Sequence, residues 1–399
     1  MKKQPLILAL ILYLISSVVS YAAFSKMGGI SPVSVITDTT GPAGTDDVNL
    51  LAELLDIDPN EAVDQPCPLN GKMFTNTEKE VWEKRRPLFV MIENSVDARP
   101  HSGLNNADII FEAIAEGGVT RFGAIFYCDA QSHDVTIAPV RSARTYFVDW
   151  ASGFNLPLYV HVGGANVPGK TNALGQINDY GWNMQNDLNQ FSIGYPTFVR
   201  NYSRIEGKEL ATEHTMETTS EKLWAVGEER EWTNMSPDRK YGRKTIEGED
   251  WKEGFEGWTF EEETGEKGNN TKVSYDFWSG YNDYSVTWKY DSDSDLYLRF
   301  HGDKKHIDLN TDKQVVATNV VVILTKETGP INEVRHMLYA TTGTGKALVF
   351  KHGQAIEATW SKKSREAELK LLDSKGKDLE LARGLTWISV MSKTNEVDY

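Results

Sequence analysis

The run Leu88-Phe89-Val90-Met91-Ile92 constrains the fold of this chain most. Five apolar residues without a polar break read as a strand covered on both faces. Glu93 and Asn94 follow at its carboxyl end. The stretch from Arg86 to Gly164 continues in the same manner. A helix-like segment at 107–116 precedes Gly117-Gly118, and a second strand is expected at 120–127. Pro139-Val-Arg-Ser-Ala-Arg144 follows, then a third strand at 158–162 closed by Gly163-Gly164. Apolar strands around amphipathic helices indicate an α/β layer.

From Thr271 onward alternation replaces helical periodicity. Residues 284–290, 296–300, 314–324, 347–350, 355–360, 367–372 and 385–390 are strand candidates separated by Gly-, Asp- and Ser-rich turns. Their spacing predicts a β-rich domain of sandwich or barrel type. The chain has 399 residues, enough for two domains and a tail. The expected class is therefore α+β. An N-terminal α/β domain with a mostly buried sheet (85–226) is followed by an acidic inter-domain region (227–270). A β-rich C-terminal domain (271–399) completes the chain. Gly343-Thr-Gly-Lys346 looks like part of a phosphate loop, but Ala347 stands where Ser or Thr is needed. It reads as a hairpin turn.

Lys2 and Lys3 precede an apolar run at 6–24. This describes a signal peptide, with Ser20-Tyr21-Ala22 suited to cleavage, or a retained membrane anchor. Either places the rest of the chain outside the cytoplasm, with membrane contact through this segment only. Residues 25–70 read as a spacer. The net charge of −15 argues against a nucleic-acid partner. Cys67 and Cys128 are the two cysteines. In an exported chain they read as a disulfide, with two unrelated thiols as the alternative. Neither stands in metal-ligand spacing, so no metal site is assigned; the sequence leaves any cofactor unknown.

Candidate site residues gather at element ends. On a helix at 107–116, Ala107, Ile110, Phe111 and Ile114 would share one face and Asp108, Glu112 and Glu116 the other. Such carboxylates suit acid/base work or form a solvated stripe. Arg121 is placed to pair with Glu116. Ser142 reads as the cap of a helix running to 153, which puts Arg141 and Arg144 in its first turn. Cations are unfavourable there unless something negative is held, either a ligand or the protein's own Glu93, Glu112 or Glu116. His161 stands before two glycines that let backbone N–H groups approach a ligand. The expected polar cleft comprises Glu93, Asn94, Arg99, Arg141, Ser142, Arg144, His161, Gly163 and Gly164. Glu112, Glu116, Arg121 and His214 form a second tier. Parallel strands would separate Glu93, Arg141 and Arg144 from Glu116 and Arg121. A hairpin at 135–140 would instead bring Arg141 to Glu116 and Arg121.

Arg86-Pro-Leu-Phe-Val-Met-Ile-Glu-Asn94, Ala98-Arg-Pro-His-Ser-Gly-Leu104, Ala107-Asp-Ile-Ile-Phe-Glu-Ala113, Glu116-Gly-Gly-Val-Thr-Arg-Phe122 and Pro139-Val-Arg-Ser-Ala-Arg144 resemble the YerB-like lipoproteins, the family of domain of unknown function 3048. Asn319-Val-Val-Val322, Gly343-Thr-Gly345, Ala358-Thr-Trp360 and Gly384-Leu-Thr-Trp387 resemble that family's C-terminal domain. The resemblance covers 66–399 and implies an exported, membrane-attached bacterial protein of two domains. The chain departs from the family in lacking a lipid-bearing cysteine near its N-terminus. It also has Glu213-His214-Thr215 where many members show Pro-His-Asn. Two functional readings stay open. One is an envelope binding or accessory protein that recognises an anionic component or a protein partner. The other is an envelope hydrolase or transferase with Glu112 or Glu116 as acid/base and an arginine phosphate clamp.

Overall fold

Gly117 and Gly118 decide the centre of the N-terminal half. Their φ values are +56° and +89°, a combination that makes a two-residue hairpin turn between antiparallel strands. A computed structural model of the chain describes Leu55 and residues 57–399, apart from 242, 263 and 264. In it the run Leu88–Glu93 is strand β1, Ile109–Glu116 is β2 and Val119–Phe126 is β3. The expected helix at 107–116 is thus a strand. Seven of the eight β2 residues are buried, so no polar face alternates along it and the strand period is hidden. The wheel of apolar residues was a coincidence of a segment apolar on both sides.

The remaining strands of the central sheet are β4 (Leu158–His161) and β5 (Asp187–Asn189) from the first half. The second half first builds a separate sheet from β6 (Lys272–Tyr275), β7 (Val286–Asp291) and β8 (Leu296–His301) with two short partners. It then returns through β9 (Asn319–Thr325), β10 (Gly343–Lys351), β11 (Gln354–Lys362), β12 (Lys370–Leu372) and β13 (Thr386–Ser392). The ten-stranded order is β12-β11-β10-β9-β13-β2-β3-β1-β4-β5. Strands of both halves therefore share one sheet, joined where β13 runs parallel to β2. Gly343-Thr-Gly-Lys346 is the exposed start of β10 rather than a turn.

Opposite faces of the central strands are covered differently. Phe111 of β2 stacks on Trp150 of helix α1 (Thr145–Ala151) at 5.3 Å. On the other face Trp387 of β13 meets Trp288 of β7 at 5.4 Å. This is a helix–sheet–sheet stack, which explains the unbroken apolar runs at 88–92 in β1 and 320–324 in β9.

The region at 227–270, read as an acidic inter-domain region, is built into this body. Trp232 and Trp251 are 2% and 1% exposed, and 239–246 includes a short antiparallel hairpin. The end of the expected spacer is also part of the fold. Val63–Pro66 pairs with Met73–Thr75, and Cys67, Leu69 and Asn70 are buried. Cys67 and Cys128 are joined, with a Cα separation of 6.1 Å across 61 residues. A loop of that length corresponds to about 4 kcal/mol in the chain-entropy account. Asp108 beside the disulfide accepts from the Tyr127 and Cys128 amides and from Asn70. Burial, then Asp129, pushes its carboxyl well above the usual range. Cys67, Asp108 and Cys128 are close enough to group around an ion, but both sulfurs are engaged with each other. The expected signal or anchor at 1–24 and most of the spacer lie outside the described residues. Among the described residues no helix is long and apolar enough to cross a membrane.

Candidate functional site

The β2–β3 hairpin reverses the chain, so Glu93 at the end of β1 is the register neighbour of Arg121 near the start of β3. The 139–143 segment then inserts where β1 and β4 part. Glu93 donates its amide to the Pro139 carbonyl, and Arg141 donates to Met91. On the other side Val162 donates to Arg141 and Ala143 to Gly163. Neither topology weighed from the sequence has this form. Glu93, Arg121, Arg141, Ser142, Gly163 and Gly164 all belong to one edge of the sheet.

Sharing an edge does not make them one cleft. Glu93 accepts from Ser95 Oγ at 3.1 Å and lies 2.9 Å from His214 Nδ1 and 3.4 Å from Arg141 Nε. Its own side chain is 6% exposed, while Arg141 keeps 27% and His214 12%. The carboxylate and the Ser95 hydroxyl face the same ring nitrogen of His214. A serine–histidine–acid relay needs them on opposite nitrogens, so Ser95 is not activated here. His214 Nε2 has no hydrogen-bond partner among the described residues. The site offers one half-exposed guanidinium and one imidazole nitrogen, anchored from behind by a buried carboxylate.

Glu116 belongs to a second cluster. Its oxygens are 2.9 Å from Arg121 and 2.7 Å from Arg144, and Arg121 also donates to the Ser142 carbonyl. Burial raises the Glu116 pKa, but the two guanidiniums outweigh it and hold the carboxyl down at about 2. Such a group keeps its charge at neutral pH and is a weak base. Ser142 caps no helix: α1 starts at Thr145, and its cap residue is Arg144, without a side-chain cap. Arg141 and Arg144 consequently turn to different carboxylates and form no joint clamp.

Glu112 is sealed in the interior. Thr120 donates to one oxygen at 2.9 Å, and Arg299 and Trp387 donate to the other at 2.7 and 3.0 Å. Neither Glu112 nor Arg299 has any exposed side-chain surface. Asn94 donates to Thr120 Oγ, and Arg99 donates to Asn94. Arg299 also contacts His301 at 2.9 Å and His306 at 2.8 Å. His306 Nε2 faces His101 Nδ1 at 2.8 Å, and His101 Nε2 faces the Glu93 carbonyl at 2.7 Å. Only neutral rings satisfy this chain of donors. Burial, with Arg99 next for His101 and Arg299 next for His301 and His306, depresses all three pKa values well below normal. No sequence signal pointed to Arg299, His101 or His306, because their partners stand in distant parts of the chain.

His161 is fully buried and both of its nitrogens are used, by Asp187 at 2.5 Å and the Gly163 carbonyl at 2.6 Å. The Gly163 amide donates to Asn189, and a Cβ at Gly164 would lie 2.8 Å from Leu174. These glycines serve close approach of the chain to itself. Of the expected residues, Glu93, Arg141 and His214 come together with an opening to solvent. Arg144 with Glu116 and Arg121, Asn94 with Arg99, and His161 with Gly163 are separate local arrangements.

Two family descriptions match this chain. The N-terminal domain of the DUF3048 proteins of unknown function covers residues 74–233, and the C-terminal domain covers 273–388. YerB of Bacillus subtilis (strain 168), described as a candidate lipoprotein, is 28% identical over 337 residues, 84% of this chain and 88% of that protein. The crystal structure of YerB from Bacillus subtilis superimposes with a TM-score of 0.64 at 25% identity, covering 84% of this chain and 100% of that one. The Glu93, Arg141 and His214 edge thus sits within the N-terminal domain of a protein that belongs to the DUF3048 family.

Proposed function

We propose that this protein is an extracytoplasmic, membrane-attached binding or accessory protein of the bacterial cell envelope, and that it recognises an anionic envelope component at the Glu93–Arg141–His214 edge. Export rests on the basic, then apolar N-terminus and on likeness to a protein described as a candidate lipoprotein. The anion reading is carried by one observation. Arg141 reaches its carboxylate only at 3.4 Å, through a buried Nε that makes no hydrogen bond, and the side chain as a whole keeps 27% of its surface open. An anion entering beside it would gain a charge-assisted contact without displacing a tight internal pair. The hydrolase reading loses its groups, since Glu112 is sealed and Glu116 is held ionised by two arginines.

The test is binding of the purified protein to wall fragments, anionic wall polymers and lipid-linked wall precursors. Arg141→Gln and His214→Gln should each weaken binding about tenfold, the loss of one charge-assisted contact, with little change in melting temperature. Binding indifferent to both substitutions would remove this edge from the function. Turnover of a precursor would replace the binding reading with an enzymatic one.

A further inference from the structure

A cavity lies away from this edge, between the 155–156 turn, the Tyr180–Trp182 segment and the 236–253 region. Its volume of about 300 Å³ corresponds to roughly ten waters. The buried part of its wall offers mainly donors. Trp182 is 1% exposed, yet its Nε1 has no partner. Arg239 is half-buried, its Nε is sealed from solvent without a hydrogen bond, and it has no ion pair among the described residues. Arg86 adds a second guanidinium, held by the carbonyls of Asn155, Leu156, Thr233 and Asn234 rather than by a carboxylate. Burial lowers the Arg86 pKa to about 9; Asp250 opposes the shift and Arg239 adds to it. Asp250, half-buried and part of the same wall, offsets one of these two cations; one positive charge and an orphaned indole N–H remain, and they favour a negative acceptor group.

The exposed part of the wall has the opposite character. Glu249 and Glu253 line the cavity and are exposed, as is Glu366, which pairs with Arg365. A plain anion would meet these carboxylates on the way in. A sugar would need an open aromatic face, but Trp182 and Trp251 are each 1% exposed and Arg365 covers the Tyr180 ring at 3.7 Å. A molecule with a carboxylate at one end and an ammonium at the other matches both parts of the wall.

We propose that this cavity binds a small zwitterion, a free amino acid or a dipeptide, with its carboxylate toward Arg239 and Trp182 and its ammonium toward the acidic mouth. The site is independent of the Glu93–Arg141–His214 edge. Calorimetric titration of the protein with alanyl-alanine tests it, run beside the N-acetylated dipeptide, the dipeptide amide and the disaccharide of N-acetylglucosamine. The free dipeptide should bind, and each blocked form should bind about tenfold more weakly or worse, because each loses one charged contact. Arg239→Gln should give a similar loss. Glu253→Gln, on an exposed side chain that does not endanger folding, should weaken the free dipeptide but not the N-acetylated one. Equal binding of free and blocked forms, binding of the sugar alone, or no binding of alanyl-alanine, glycine or alanine by the unaltered protein would overturn the proposal. Those comparisons use the unaltered chain, so they stand even if the Arg239 variant fails to fold.

Discussion

Glu112 and Glu93 make an instructive pair. Both are carboxylates on strands that flank β3 in the central sheet, Glu112 in the middle of β2 and Glu93 at the end of β1; both are within reach of an arginine, and both connect to histidines. Glu112 lies between two sheets, where Arg299 is ringed by Trp387 at 4.5 Å and by Phe122 and Trp288 at 5.6 Å. Both its oxygens are satisfied and no surface remains. Glu93 is nearly as buried, but its partners Arg141 and His214 stand at the sheet edge and keep part of their surface. The residue types are alike and the cover differs. A charge pair closed on all sides fixes how two layers meet, whereas one open on the cation side can exchange its contacts for a ligand.

The largest effect should come from breaking the closed pair. Arg299→Met strands Glu112 in a dry interior and should cost about 3–5 kcal/mol, read from urea unfolding. A loss below about 1 kcal/mol, the range of exposed pairs, would erase the distinction between the two regions.

Acid should act on the closed region next. His101, His301 and His306 have folded pKa values well below normal, so below about pH 6.5 the unfolded chain binds protons that the folded one refuses. Their contribution lowers stability as pH falls through that value. The limiting slope is about 1.4 kcal/mol per pH unit for each histidine. Denaturation midpoints at pH 7.5, 6 and 5 should drop accordingly, and His301→Asn should flatten the dependence. An unchanged slope in that variant would mean His301 is not held neutral.

The smallest effect belongs to the open pair. Arg141→Gln should change stability by about 1 kcal/mol or less, as for part-exposed ion pairs. A loss as large as that of Arg299→Met would make Arg141 a buried structural partner and leave the edge without a free cation.

Much of the framework is legible along the chain. The unbroken apolar run of β1 announces a strand covered on both sides, and alternation marks β7 and β8. Gly117-Gly118 carried the hairpin signal that the helical wheel of 107–116 obscured. With both faces of β2 buried, periodicity could not separate helix from strand, and only the turn chemistry could have done so. The polar site was legible as a set of residue types near element ends. Its partition was not, because Arg141 and Arg144 stand three residues apart yet serve different carboxylates.

What the sequence determined by itself is the local period, the turn chemistry and the inventory of charged and donor groups. Those follow from neighbouring residues and backbone sterics. The tertiary structure alone decided which carboxylate is sealed and which is open. Glu112 meets Arg299 across 187 residues, and His101 meets His306 across 205. Burial and pairing at such separations depend on how two sheets stack, and no local pattern encodes that contact. The same carboxylate–arginine–histidine chemistry therefore became a joint in one place and an exposed edge in the other.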